Sequence, residues 1–144
     1  MIDLVRRNTD YALRLMVNVA RHYGNGPVST RVAAAEEDVP YQLACKLMQR
    51  LHRSKLVKSC MGPKGGFSLG KEPSQISLRE VVETIQGPIS INRCLLAADA
   101  CHRRRNCMAS AKLGELQEYV RNYLDHITLD ELLHARSATD EEQP

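Results

Sequence analysis

Cys94, Cys101 and Cys107 are the residues whose type and spacing could do chemistry. Three of the chain's five cysteines fall in the run Cys94-Leu-Leu-Ala-Ala-Asp-Ala-Cys101-His-Arg-Arg-Arg-Asn-Cys107. Soft thiolates suit iron–sulfur clusters and zinc. Arg103, Arg104 and Arg105 beside them favour the deprotonated thiolate and offset the negative charge of a cluster. Structural zinc sites usually carry ligand pairs about two to four residues apart, and this loop has none. The pattern therefore favours a cluster, with zinc as the competitor. His102 adjoins Cys101, so ligation by both is strained, and it reads as a solvated or supporting group.

The compartment bears on the same chemistry. The opening Met-Ile-Asp-Leu-Val-Arg-Arg-Asn lacks the apolar core of a secretory signal. No apolar run reaches the roughly 18 residues of a membrane span. A cytoplasmic location is expected, where clustered thiols mean metal or redox chemistry more often than disulfides. Cys45 and Cys60 stand apart from the cluster as small core or surface residues.

A second chemistry lies in the charge. Residues 1–93 carry 14 Lys/Arg against 8 Asp/Glu, whereas residues 94–144 carry 6 against 9. From Val39 to Lys71 there are seven Lys/Arg and no acid. Such a stretch favours a polyanion, although the solvated faces of ordinary helices account for part of it. Gln42, Cys45 and Lys46 fall in the first two turns of a predicted helix, where base edges come within reach, and Gln can pair bidentately with adenine. Arg31, Arg50, Arg53, Lys58 and Lys64 read as phosphate contacts.

The elements that must position these residues are mostly helical. Ala12, Leu15, Met16, Val19, Ala20 and Tyr23 share one face of a helix expected from about Asn8 to Tyr23, stopped by Gly24-Asn-Gly-Pro27. Ser29 caps a short second helix with residues 32–35 toward the core. Pro40 is expected at the first position of a third, with Leu43, Leu47 and Leu51 as its buried stripe. Two short strands, 56–60 and 67–69, flank Met61-Gly-Pro-Lys-Gly-Gly66, whose glycines permit positive φ. Helix, turn, basic helix and hairpin make a winged helix-turn-helix. Ser77-x-x-Glu80 is a capping box for a fourth helix carrying Leu78, Val81, Val82 and Ile85, which Gly87-Pro88 ends. After the cysteines, Leu113, Leu116, Val120, Leu124 and Ile127, bordered by Tyr123, form a seam suited to pairing two protomers. Thr128-x-x-Glu131 caps a last short helix.

Several of these segments resemble one family. Asn8-Thr-Asp-Tyr-Ala-Leu-Arg14, Gly62-Pro-Lys-Gly-Gly-Phe67 followed by Leu69, Ile76-Ser-Leu-Arg-Glu-Val-Val82 and Ile127-Thr-Leu-Asp-Glu-Leu132 are similar to the Rrf-two family of bacterial winged-helix transcription regulators. The resemblance runs from about Met1 to Leu133. It implies a homodimer with crossed long helices on a partly palindromic DNA operator, and a cluster, two-iron or four-iron, on Cys94, Cys101 and Cys107. The gaps of six and five residues are slightly longer in the first than that family's pattern. In one subgroup the fourth ligand is a histidine three residues after the last cysteine; Ser110 stands there. In another it is an aspartate on the first helix of the other protomer, and the matching residue is Asp10. Asp10 also reads simply as an acid favoured by the dipole of a helix's first turn. Where relatives of the first subgroup have a wing arginine, this chain has Met61, which argues against a shared operator sequence.

The expected organisation is a winged helix-turn-helix over 1–87, a cysteine-rich cluster loop over 88–110, a dimerisation helix with a short last helix over 111–136, and a flexible tail over 137–144. The expected function is a cluster-switched, dimeric DNA-binding regulator, not an enzyme. A zinc or thiol switch without a cluster and a protein–protein adaptor are the other readings. A nucleophilic-cysteine enzyme would need a base and a pocket that no pattern here organises.

Overall fold

The computed structural model describes residues 3–97 and 99–135. The tail over 137–144 lies outside them. The elements run α1 (Arg7–Arg21), α2 (Thr30–Glu36), α3 (Tyr41–Arg53), β1 (Val57–Cys60), β2 (Gly66–Leu69), α4 (Leu78–Gln86), α5 (Met108–His126) and α6 (Leu129–His134), with short 3₁₀ turns at Pro73–Gln75, Arg93–Leu95 and Arg104–Asn106. No described helix is long and apolar enough to cross a membrane.

α1 is the axis of the core because its apolar stripe is unbroken. Ala12, Leu15, Met16, Val19 and Ala20 are all buried, against Ala44, Leu47, Met48 and Leu51 of α3, Val81 and Ile85 of α4, and Leu129 of α6. Tyr23 does not join them. α1 ends two residues earlier, and the ring is 47% exposed in the turn, where Gly24 takes φ 84°. α2 starts under the expected cap, the Ser29 hydroxyl accepting from the Val32 N–H at 3.2 Å. Only Ala33 and Ala34 of residues 32–35 are buried, since seven helical residues present just one turn to the core. Asn18, fully buried on α1, donates to the carboxylates of Glu36 and Glu37 at 2.7 and 2.9 Å and so ties α1 to the end of α2.

The turn into α3 uses Asp38 at φ 53°, letting the Val39 N–H reach back to the Ala34 carbonyl at 2.9 Å. Pro40 is the N-cap of α3 rather than its first residue, because its ψ of 130° is still extended. On α3 the buried stripe is Ala44, Leu47, Met48 and Leu51; Leu43 is only half-buried.

The wing pairs Val57 with Leu69 through to Cys60 with Gly66, antiparallel. The sheet continues beyond the hairpin. Val28 and Phe67 exchange both backbone hydrogen bonds at 2.8 Å, adding a one-residue third strand. Gly62 has the positive φ expected of the turn, 111°. Gly66 is needed for a different reason, close approach: a Cβ there would stand 2.2 Å from the Val28 carbonyl oxygen.

α4 opens on the predicted capping box. Ser77 Oγ accepts from the Glu80 N–H at 3.1 Å and Glu80 Oε2 from the Ser77 N–H at 3.2 Å. The strand-like pair Ser77 and Thr128 then links its start to the end of α5, the Leu78 N–H donating to Ile127 and the Leu129 N–H to Ile76. That link returns α6 to the core against α1.

α5 is attached mostly by polar groups. Gln117, 5% exposed, accepts from the Ile91 N–H at 3.2 Å, and Arg121 Nε donates to the Ile89 carbonyl at 3.1 Å. Of the expected seam, Leu113, Val120, Leu124 and Ile127 are half-buried and Leu116 is exposed. Tyr119 and Tyr123 stand out beside it at 68% and 60% exposure.

Candidate nucleic-acid interface and thiol loop

The residues expected to meet DNA are exposed on the winged unit, except for Cys45. Gln42, Lys46, Arg50 and Arg53 lie on the exposed surface of α3, where burying Leu47, Met48 and Leu51 turns them outward. Cys45 is half-buried, less accessible than Gln42 and Lys46. Lys58 is exposed on β1, Lys64 near the wing tip, and Met61 is 95% exposed there. Among the described residues none of Arg31, Lys46, Arg50, Arg53, Lys58 and Lys64 pairs with a carboxylate, so their charge is available to a polyanion.

One residue on this face escaped the sequence reading. The Arg31 guanidinium lies 4.2 Å from the centre of the Tyr41 ring, a cation–π contact joining the start of α2 to the start of α3. Tyr41 is itself 43% exposed. Its position straight after Pro40, at the mouth of the basic helix, was the available sign.

A side-chain clamp ties this unit to the segment leading into the cysteines. Gln86, in the last turn of α4, accepts from the Arg6 N–H at 3.1 Å and the Thr9 hydroxyl at 2.8 Å, and donates to the Leu4 carbonyl at 2.9 Å. Arg50 of α3 donates to the carbonyl of Thr84, two residues before Gln86, at 3.4 Å. Gly87 follows at φ 85°, and the chain leaves for the loop.

In that loop Cys94 lies in the first 3₁₀ turn, Cys107 is the N-cap of α5, and Cys101 falls between them. All three are free and half-buried. The Cys94 thiol donates to Ser110 Oγ at 3.8 Å, so Cys94 and Cys107 both stand at the amino end of α5. Ser110, where one subgroup of the resembling family has a histidine, is only 5% exposed. Cys101 opens on a hollow with Asp99, Arg104 and Arg105, Cys107 on one with Arg103 and Asn106, and His102 borders both. Among the described residues no three Cys, His, Asp or Glu side chains converge as a metal site. Asp10 lies elsewhere, half-exposed on α1, its carboxylate paired with Arg14 at 2.7 Å. Cys60 ends β1 with its sulfur 3.6 Å from the Ser68 hydroxyl.

A basic, unpaired recognition helix, a short wing beside it and a helical scaffold behind define a winged-helix transcription regulator. The chain belongs to the Rrf2 family, described as iron-dependent transcriptional regulator, whose pattern it matches over residues 5–135. It is 30% identical over 130 residues to the HTH-type transcriptional regulator IscR of Klebsiella pneumoniae, covering 90% of this chain and 79% of that protein. It is 28% identical over the same length, with the same coverage, to IscR of Pectobacterium carotovorum. Among solved structures it is similar to CymR, the global cysteine regulator of B. subtilis, with a TM-score of 0.77, 26% identity and 95% and 100% of the two chains covered. The T. potens IscR shares the fold at a TM-score of 0.72 and 22% identity, with 95% of each chain covered.

Proposed function

We propose that this regulator works as a homodimer on a DNA operator and is switched by an iron–sulfur cluster. Cys94, Cys101 and Cys107 would hold the group, with Asp10 of the other protomer as fourth ligand. The observation that carries the reading is the placement of three free thiols between two elements that matter to DNA binding: α4, clamped to the DNA-binding unit through Gln86, and α5, with its bare aromatic face. The donor set fits the group. Thiolates are its ordinary ligands, and Arg103, Arg104 and Arg105 supply positive charge beside it. Asp10 is half-exposed and held by a single arginine, which leaves its carboxylate accessible to a second protomer. Metal binding couples to folding, so three thiols of one loop that do not converge without the group would be drawn together by binding it.

A bound cluster supplies iron–sulfur bonds that oxidants, nitric oxide or iron shortage can alter. The protein's own residues would carry that signal to DNA. Rearrangement of the loop moves the Gly87 hinge and the amino end of α5. Gln86 passes the movement to Arg6 and Thr9 of α1, and Arg50 passes it from α4 to α3. The angle between the two recognition helices of the dimer then changes.

The thiol-switch reading keeps one observation of its own, the separate hollows of Cys101 and Cys107. One experiment separates the two. The protein is purified without oxygen, and its visible spectrum is recorded with iron, acid-labile sulfide and zinc analysis. Brown protein with matched iron and sulfide is expected, and the iron count distinguishes two-iron from four-iron forms. Colourless protein that carries zinc, or takes up no iron on anaerobic reconstitution, would overturn the cluster and leave a zinc or thiol switch.

A further inference from the structure

At the end of the recognition helix, Arg50 meets two further arginines that the phosphate contacts named above do not include, Arg6 and Arg7. Arg6, Arg7 and Arg50 line one surface pocket, floored by Thr9, Ile85 and Gln86. None of the three guanidiniums pairs with a carboxylate among the described residues. The pocket has a built frame. Gln86 holds the backbone of Leu4 and Arg6 and the hydroxyl of Thr9, and Arg50 is fixed to the Thr84 carbonyl.

Its position on the molecule indicates the ligand. Gln42, Lys46 and Arg50 are four residues apart on α3 and exposed, so they form one stripe running from the start of the helix to the pocket. Eight residues of helix advance about 12 Å, and a major groove is about 12 Å wide. With Gln42 at the base edges, Arg50 therefore stands at the sugar–phosphate strand bordering the groove, and Arg6 and Arg7 stand beside it.

We propose that Arg6, Arg7 and Arg50 together grip one backbone phosphate of the operator, on the strand bordering the groove that α3 enters. Two residues at the start of α1, outside α2, α3 and the wing, thus become DNA contacts. The grip would be blind to sequence, since it reads only phosphate. It would also pull on the segment that Gln86 ties to the end of α4. This rests on the DNA-binding reading above, and the test keeps the two apart.

Affinity of the intact protein for its operator and for an unrelated duplex is measured from low to physiological salt, for wild type, Arg6→Gln/Arg7→Gln and Lys46→Ala. The double variant should lose affinity by the same factor on both duplexes, and the slope of log K against log salt should fall by up to about 0.9 for each pocket engaged, since Arg50 is retained. Operators carrying a neutral methylphosphonate at successive positions should reveal one position per half-site where wild type weakens more than the double variant, which keeps only Arg50. Unchanged slope and an unchanged methylphosphonate profile, while Lys46→Ala still weakens binding, would overturn the phosphate grip alone. A shift in protomer association without a change in slope would overturn it in favour of a protein contact. Wild type that binds neither duplex would overturn the DNA-binding reading itself, and this proposal with it.

Discussion

Single side chains decide how firmly the DNA face is held in shape. The Tyr41 ring under Arg31 fixes a guanidinium that would otherwise sample many rotamers, and an exposed contact of this kind is worth about 0.5–1 kcal/mol. Tyr41→Phe keeps the ring and should bind operator as wild type does. Tyr41→Leu should lose affinity by about two- to fivefold, measured by fluorescence anisotropy; equal affinities for the two variants would remove Tyr41 as a positioning residue. Gly66 decides the wing. A methyl group placed 2.2 Å from the Val28 carbonyl oxygen cannot be relieved by rotating a side chain, because the obstacle is backbone. Gly66→Ala should cost about 1–3 kcal/mol in urea unfolding, as overpacking does. A variant as stable as wild type would mean that the Val28–Phe67 bridge contributes little.

At the scale of elements, the two long helices after the wing have different tasks. α4 is capped at both ends and buried along Val81, Val82 and Ile85, so it is a rigid strut. α5 is fastened through Gln117 and Arg121, which leaves Leu116, Tyr119 and Tyr123 in solvent. Aromatic groups so exposed suit a second copy of the same helix. In the proposed homodimer, Tyr119→Asp/Tyr123→Asp should yield monomers by sedimentation with an unchanged circular dichroism spectrum, since neither ring supports the core. A variant still dimeric at micromolar concentration would place the pairing surface elsewhere.

Across the whole molecule the question is how the thiol loop reaches the recognition helix. In the proposed function the path runs through Gln86, one residue before Gly87, where the chain leaves α4 at φ 85°. Gln86→Leu removes all three of its hydrogen bonds and should leave cluster content intact while shrinking the difference in operator affinity between the cluster-bound and cluster-free forms. An undiminished difference would route the signal through α5 alone. Asp10→Ala should keep the fold, because only an exposed ion pair with Arg14 is lost, typically worth 1 kcal/mol or less. It should nonetheless shorten the lifetime of the visible chromophore in air, and an unchanged lifetime would exclude the aspartate as a ligand. Two recognition helices related by a dimer axis should read half-sites about 34 Å apart, which a footprint would show.

The sequence by itself determined what depends on local periodicity and capping. The α1 stripe, the caps at Ser29, Ser77 and Thr128, and the hairpin around Gly62 are all encoded within a few residues, and each appears in the structure. So is the basic surface of α3, because burying Leu47 and Leu51 forces Lys46 and Arg50 outward. Only the tertiary structure decided what depends on residues far apart in the chain. The Val28–Phe67 bridge spans thirty-nine positions, roughly, and no local pattern foretells it. The same holds for Gln86 against Thr9, Arg31 on Tyr41, and the return of Leu129 to the core. The three cysteines mark the boundary between the two cases. Their type and spacing suggest a ligand set in the proposed function, but convergence of ligands is a matter of how a loop folds, and among the described residues no three such side chains converge.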